Sequence, residues 1–186
     1  MKPKNPSSYW TNGEMQEYKL VDLHENIELV LYSLVAFGVP FFLGHSQLLT
    51  GTIVNAALVL AALNLRGIKL LPVMLLPSIA VLASGFIFGP ASSSMFFLAP
   101  IIWLGNALLI LAIKELVLGR HMNRLLALGT GAAAKTAFLF GAGLALVTAG
   151  FVPSAVLVTL GAMQLYTALM GGVAAFGLQT AKKQMA

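Results

Sequence analysis

Polar and apolar positions along this chain segregate into long blocks, not into the short alternations of a soluble fold. No charged residue occurs over 29–44, 46–65, 70–113, 125–134 or 136–181. Glu25 and Glu28 precede the first block and suit a helix N-terminus, which predicts helix 1 over about 26–44. The second block ends at Arg66, Gly67 and Lys69 and gives helix 2 over about 46–65. The stretch 70–113 is too long for one crossing and must turn back, and GPASSS at 89–94 is where it breaks. Helix 3 is therefore expected over about 69–88 with a kink at Pro77, and helix 4 from Pro100, a favourable first-turn residue, to about 118. Helix 5 follows over about 125–149. GFVP at 150–153 turns the chain into helix 6, about 153–179, and a short basic tail occupies 181–186.

Composition turns these six blocks into membrane crossings. Of 186 residues, 59% are hydrophobic and 9% charged, which leaves too little polar surface to coat a soluble globule. The mean hydropathy of +0.90 agrees. A hydrocarbon core about 30 Å thick takes roughly 20 apolar residues per helical crossing. The expectation is an all-α, polytopic six-transmembrane-helix bundle over 23–180, a single membrane domain without a soluble catalytic domain. With no cysteine, disulfides, iron–sulfur ligation through thiolates and cysteine nucleophiles are excluded for this chain. It reads as a non-enzyme with no catalytic residue, no metal site and no cofactor of its own.

Charge then sets the orientation. Six crossings put the N-terminus, the 2–3 and 4–5 turns and the C-terminus on one side, with Lys2, Lys4, Lys19, Arg66, Lys69, Lys114, Arg120, Arg124, Lys182 and Lys183. The opposite turns, near 45, 89–99 and 150–152, hold no Lys or Arg. By the positive-inside rule both termini are cytoplasmic and the protein is expected in the cell (cytoplasmic) membrane. A five- or seven-helix count would scatter these charges. The net charge of +5 is accordingly a topology signal with some attraction to anionic lipid, not a sign of nucleic-acid binding. The polar segment 1–22 does not read as a signal peptide, because its first apolar run begins late behind an acidic flank. Residues from about Glu14 to Leu23 suit an interfacial helix anchored by Trp10 and Tyr18.

The eleventh basic residue, Lys135 in TGAAAKTAFLF (130–140), breaks the charge rule. At about 1.5 Å of rise per residue it lies roughly 15 Å from the cytoplasmic start of helix 5, near the midplane. Asn55, Asn106 and Gln164 fall in the same slab, about 9 to 16 Å below the external ends of helices 2, 4 and 6. Helical spacing gives each a face with small neighbours. Gln47, Gly51, Thr52 and Asn55 share one on helix 2, Gly131, Lys135, Phe138 and Ala142 one on helix 5, and Gly161, Gln164, Thr167 and Gly171 one on helix 6. Amides in membrane helices also serve as plain interhelical glue, at about 0.6 to 2 kcal/mol per bond. The pairs Ala57/Ala61, Gly129/Ala133 and Ala168/Gly172 read as packing. His45 sits in a short external turn, more suited to the interface or the rim of a binding site than to a metal.

Lys135 has a cost that glue does not explain. An ammonium at the bilayer centre costs about 2.5 to 3.5 kcal/mol even on the lenient insertion scale. A lysine stem reaches only part of the way to the headgroups, and no Asp or Glu lies inside any span, since Glu28 and Glu115 sit near the cytoplasmic ends. Three states remain: a lysine held neutral, one hydrogen-bonded to Asn, Gln and carbonyl groups, or one that meets an anionic ligand.

QLLTGTIVNAALVLAA (47–62), PSIAVLASG (77–85), APIIWLGNALLI (99–110), AAKTAFLF (133–140) and MQLYTALMGG (163–172) together resemble the six-helix substrate-binding (S) subunits of energy-coupling-factor (ECF) transporters, in particular a branch often labelled hydrogenase-associated. The resemblance spans about 28–180. It implies a bundle with a ligand pocket open to the outside, and partners in a transmembrane coupling subunit and two ATPase subunits. The chain has no phosphate-binding loop of its own, which fits that division of labour. The S subunits carry a small-xxx-small docking motif on helix 1. Here helix 1 reads LVLYSLVAFGVPFF without one, while Ala57 and Ala61 supply one on helix 2.

Two functions follow as expectations. In the first, the chain captures a small, anionic or otherwise electronegative solute from outside. Lys135 pairs with that group, Asn55, Asn106 and Gln164 orient its polar edges, and Gln47, Thr52, Thr167 and His45 complete the site. The Ser92-Ser93-Ser94 turn would act as a lid. In the second, the chain is a membrane anchor or assembly subunit of a redox or hydrogenase-type complex, with the polar slab as helix glue or as a quinone or proton path.

Overall fold

The computed structural model describes residues 12–44, 46–88 and 93–185. Among them are six helices long and apolar enough to cross a membrane, joined into an all-α bundle. In chain order, α1 is Asn12–Leu43, α2 Gln47–Asn64, α3 Leu70–Phe88, α4 Ser93–Ile113 and α5 Arg124–Thr148. The sixth, α6, starts as Val156–Val158, widens into a π-helical stretch at Thr159–Met163 and continues as Gln164–Met185. A backbone without water to bond must satisfy its polar groups internally, so apolar blocks of this length close into helices.

Two boundaries differ from the sequence expectation. The segment expected as a separate interfacial helix, from Glu14 to Leu23, is the first part of α1 and not a separate element. Likewise α4 begins at Ser93, about two turns before Pro100, which lies inside the helix. Starting at Ser93 keeps seven further residues hydrogen-bonded that a loop would leave open, and membrane helices tolerate the proline. Ser93 and Ser94 of the expected lid therefore belong to a helix, while Ser92 and His45 lie outside the described residues, as do residues 1–11 with Trp10.

Helix α2 lies at the centre, packed on α1, α3, α4 and α6. Its Ala57 and Ala61 are buried in the main apolar cluster with Leu58, Leu109, Ile113 and Phe176. The only expected small-residue docking pair on α2 is thus already used inside the bundle. A second cluster, Leu98, Leu139, Val152 and Leu160, fills the opposite half. Along α4 and α5, Asn106 and Lys135 fall between residues of the first cluster (Leu109, Leu128) and of the second (Leu98, Leu139).

The bundle has a charge-rich end and a charge-poor end. At the charge-rich end Lys69 Nζ reaches Asp22 Oδ1 at 2.7 Å and Glu25 Oε2 at 3.1 Å, and Lys182 pairs with Glu28. These pairs tie α1 to the start of α3 and to the end of α6. Lys114 Nζ donates to the Leu65 carbonyl at 2.7 Å, where α2 ends. Asn123 caps α5 by accepting from the Leu125 N–H at 2.9 Å. Together these contacts frame one end of the apolar interior.

Candidate functional site

Lys135 is 2% exposed, one of the largest fully buried side chains in the protein. Its Nζ donates to Asn55 Oδ1 at 2.7 Å and to Asn106 Oδ1 at 2.9 Å. Three helices, α2, α4 and α5, meet at one nitrogen. Among the described residues no carboxylate lies within ion-pairing distance of it.

The two amides are held in one orientation by what their nitrogens do. Asn55 Nδ2 donates to the Gly51 carbonyl at 2.9 Å and to Thr167 Oγ1 at 3.2 Å, and Thr167 passes its own proton to the Met163 carbonyl at 2.8 Å. Asn106 Nδ2 donates to the Met74 carbonyl on α3 at 3.0 Å. Pro77 has no N–H for the carbonyl four residues back and its ring crowds that turn. That carbonyl belongs to Val73, the neighbour of Met74 on the same turn. With both nitrogens engaged, both amide oxygens face Lys135, so the network points its acceptors at the lysine.

Close helix approach makes the Asn55–Thr167 bond possible. A Cβ on Gly171 would overlap the Thr52 carbonyl and the Ala56 nitrogen and sit 3.0 Å from Asn55 Cβ. One on Gly51 would come within 3.0 Å of Thr167 Cγ2. Glycine at both positions lets α2 and α6 touch backbone to backbone.

Beside the lysine lies a cavity of about 230 Å³ in the charge-poor half of the bundle. Lys135, Asn55, Asn106, Gln164 and Gln47 all border it, so five of the expected residues come to one space. Thr52 and Thr167 do not border it: Thr167 supports Asn55 from behind, and Thr52 Oγ1 is buried without a partner. Thr167 and Gln164 separate because residues three apart lie about 60° apart around a helix, enough to turn one to α2 and the other to the cavity. Toward its outer end the wall is formed by Gly44, Gln47 and Met95, where α1 ends and α2 and α4 begin.

Sequence reasoning missed Ser78. It is 1% exposed, borders the cavity, and its Oγ has no hydrogen-bond partner. Gln164 Oε1 is also buried without a partner. Pro40 and Pro77 border the cavity as well, so two of its walls carry a helix interruption, and the π-helical stretch of α6 supplies Thr159 and Leu160. Chemically, the lining offers the amine of Lys135, the amides of Gln47 and Gln164 beside the engaged Asn55 and Asn106, and the hydroxyls of Thr50, Ser78 and Thr159, in a wall that is otherwise apolar.

Comparison with protein-family models, with curated proteins and with solved structures finds no match to this chain.

Proposed function

We propose that this chain is a substrate-binding membrane subunit of an ECF-type uptake transporter, capturing a small solute that presents an anionic or strongly electronegative group. The observation that carries this reading is Lys135 on the cavity wall. Two of an ammonium's three donors go to Asn55 and Asn106, and one remains for a ligand, with no carboxylate among the described residues to take it. A lysine placed for its own sake in the interior would be costly. One whose last donor and charge are met by a solute has a use for the position. The shape of the site adds support, since a cavity with few convergent polar groups in an apolar wall is the usual form of a small-molecule site.

In this reading the charge-rich end is cytoplasmic, both termini lie inside the cell membrane, and the cavity is loaded from the outside. The chain captures; a transmembrane coupling subunit and ATPase subunits provide the energy. That partnership draws on the sequence resemblance to the S subunits. The interior packing of Ala57 and Ala61 means that docking uses some other face.

The alternative, a membrane anchor of a redox or hydrogenase-type complex, draws on the same hydrogen bonds as helix glue. It accounts for Asn55, Asn106 and Thr167 but leaves the cavity and the unpaired Ser78 and Gln164 unused. Purification of the tagged chain from its own membrane in mild detergent separates the two. A coupling protein and an ATPase pair are expected. Iron–sulfur subunits in their place would overturn the transport reading.

A further inference from the structure

The cavity wall has more hydrogen-bonding capacity than the chain itself uses. Lys135 holds one donor in reserve, Ser78 Oγ has neither donor nor acceptor to pair with, and Gln164 Oε1 lacks a donor. Buried polar groups in native proteins are nearly always paired, and two of the six unpaired buried side-chain atoms among the described residues border this one cavity, where a ligand's atoms can meet them. Gln164 is the first residue after the π-helical stretch Thr159–Met163, a kind of helix widening frequent at functional sites. The rest of the wall is aliphatic, with Val54, Val81, Leu98, Ile102 and Val156 among its residues.

Charge and size narrow the ligand further. Among the described residues that border the cavity, Lys135 is the one charged side chain. A single cation can neutralise one negative charge; a second anionic group on the ligand, or a cationic one, would be buried without a counter-charge. A volume of about 230 Å³, below the ~300–1,000 Å³ of pockets for drug-sized ligands, suits a ligand of roughly ten non-hydrogen atoms.

We infer, resting on the solute-binding reading above, that the cavity selects a small monoanion with an apolar body that also carries one N–H or O–H donor. Its anionic group takes the free donor of Lys135 and its own donor goes to Gln164 Oε1, while Ser78 pairs with whichever polar edge passes it. Ser78 and Gln164 thereby set specificity, and Lys135 sets the charge. Phosphorylated compounds, dicarboxylates and amines fall outside the class.

The test uses the purified full chain in lipid nanodiscs and a panel of monocarboxylates of about six to ten non-hydrogen atoms. Each hydroxy acid, such as 4-hydroxybenzoate or 6-hydroxyhexanoate, is matched to its donor-free acid and to its neutral primary amide. Among the members that bind, donor-bearing acids should bind about tenfold tighter than donor-free ones and about 100-fold tighter than the amides. Gln164→Leu should erase the first ratio and leave the second. The wild-type ratios decide the matter even if a variant fails to fold. Equal binding of acids and amides, or of donor-bearing and donor-free acids, overturns the inference. If no panel member binds while a larger or cationic molecule is retained from the growth medium, the ligand class is wrong and solute capture stands. If no small molecule of any class binds, both fall.

Discussion

Replacing Asn55 by Asp puts a fixed carboxylate where the amide oxygen now lies, 2.7 Å from Lys135 Nζ. At an effective dielectric of 20, opposite unit charges at that distance attract by about 6 kcal/mol. Desolvating the new carboxylate costs several kcal/mol, and the amide's donations to Gly51 and Thr167 are lost, so the fold should change in stability by only about 2 kcal/mol in either direction. Binding should respond far more. A ligand anion about 6 Å from the new carboxylate is repelled by about 3 kcal/mol at the same dielectric, roughly a 100-fold loss in affinity. Asn55→Asp therefore separates a site from a structural bond. The assay pairs thermal unfolding of the purified variant with its affinity for whatever anion the wild-type protein binds. Unchanged anion affinity in a folded Asn55→Asp protein would refute the reasoning, because it would mean that Lys135 does not meet the ligand's charge.

Three further outcomes test the framework around the lysine. Pro77→Ala restores a helical N–H and closes the turn that offers Met74 to Asn106, so ligand affinity should fall about fivefold while thermal stability holds or rises, as read by binding and unfolding together. Gly171→Leu drives a side chain into the Thr52 carbonyl and should cost about 1–3 kcal/mol of stability or more, seen as a lower unfolding midpoint and lost folded yield. The chain has no cysteine, so single-cysteine variants report topology without background. A membrane-impermeant maleimide applied to intact cells should label Gln47→Cys and spare Arg120→Cys until the membrane is opened, and the reverse pattern would invert the orientation.

Much of the helical architecture could be read from the charge-free blocks, because a backbone in lipid has few alternatives. The partnership of Lys135 with Asn55 and Asn106 was legible in part: a lone cation in an apolar run can take amide oxygens and three amides lay at its depth, but only packing shows that Asn55 and Asn106, and not Gln164, bond it. Other features left no trace. Ser78 gave no signal since a serine in a membrane helix can bond its own preceding turn, and only packing reveals that this one does not. Periodicity could not divide Thr167 from Gln164, because lipid-facing and core-facing positions are both apolar here and the helix face is set by which neighbour it touches. Nor could composition foresee that α4 would run past Pro100 to Ser93. A proline at a favourable first turn and a proline tolerated inside a membrane helix look alike in sequence.

The most direct measurement is native mass spectrometry of the protein extracted from its own membrane, comparing wild type with Lys135→Met. Methionine keeps the stem length and removes the charge. The wild-type protein should carry one small anionic molecule that is released on activation in the gas phase. Lys135→Met should arrive folded and empty. A folded Lys135→Met protein that retains the same molecule in the same proportion would contradict the assignment of Lys135 as the residue that holds the solute.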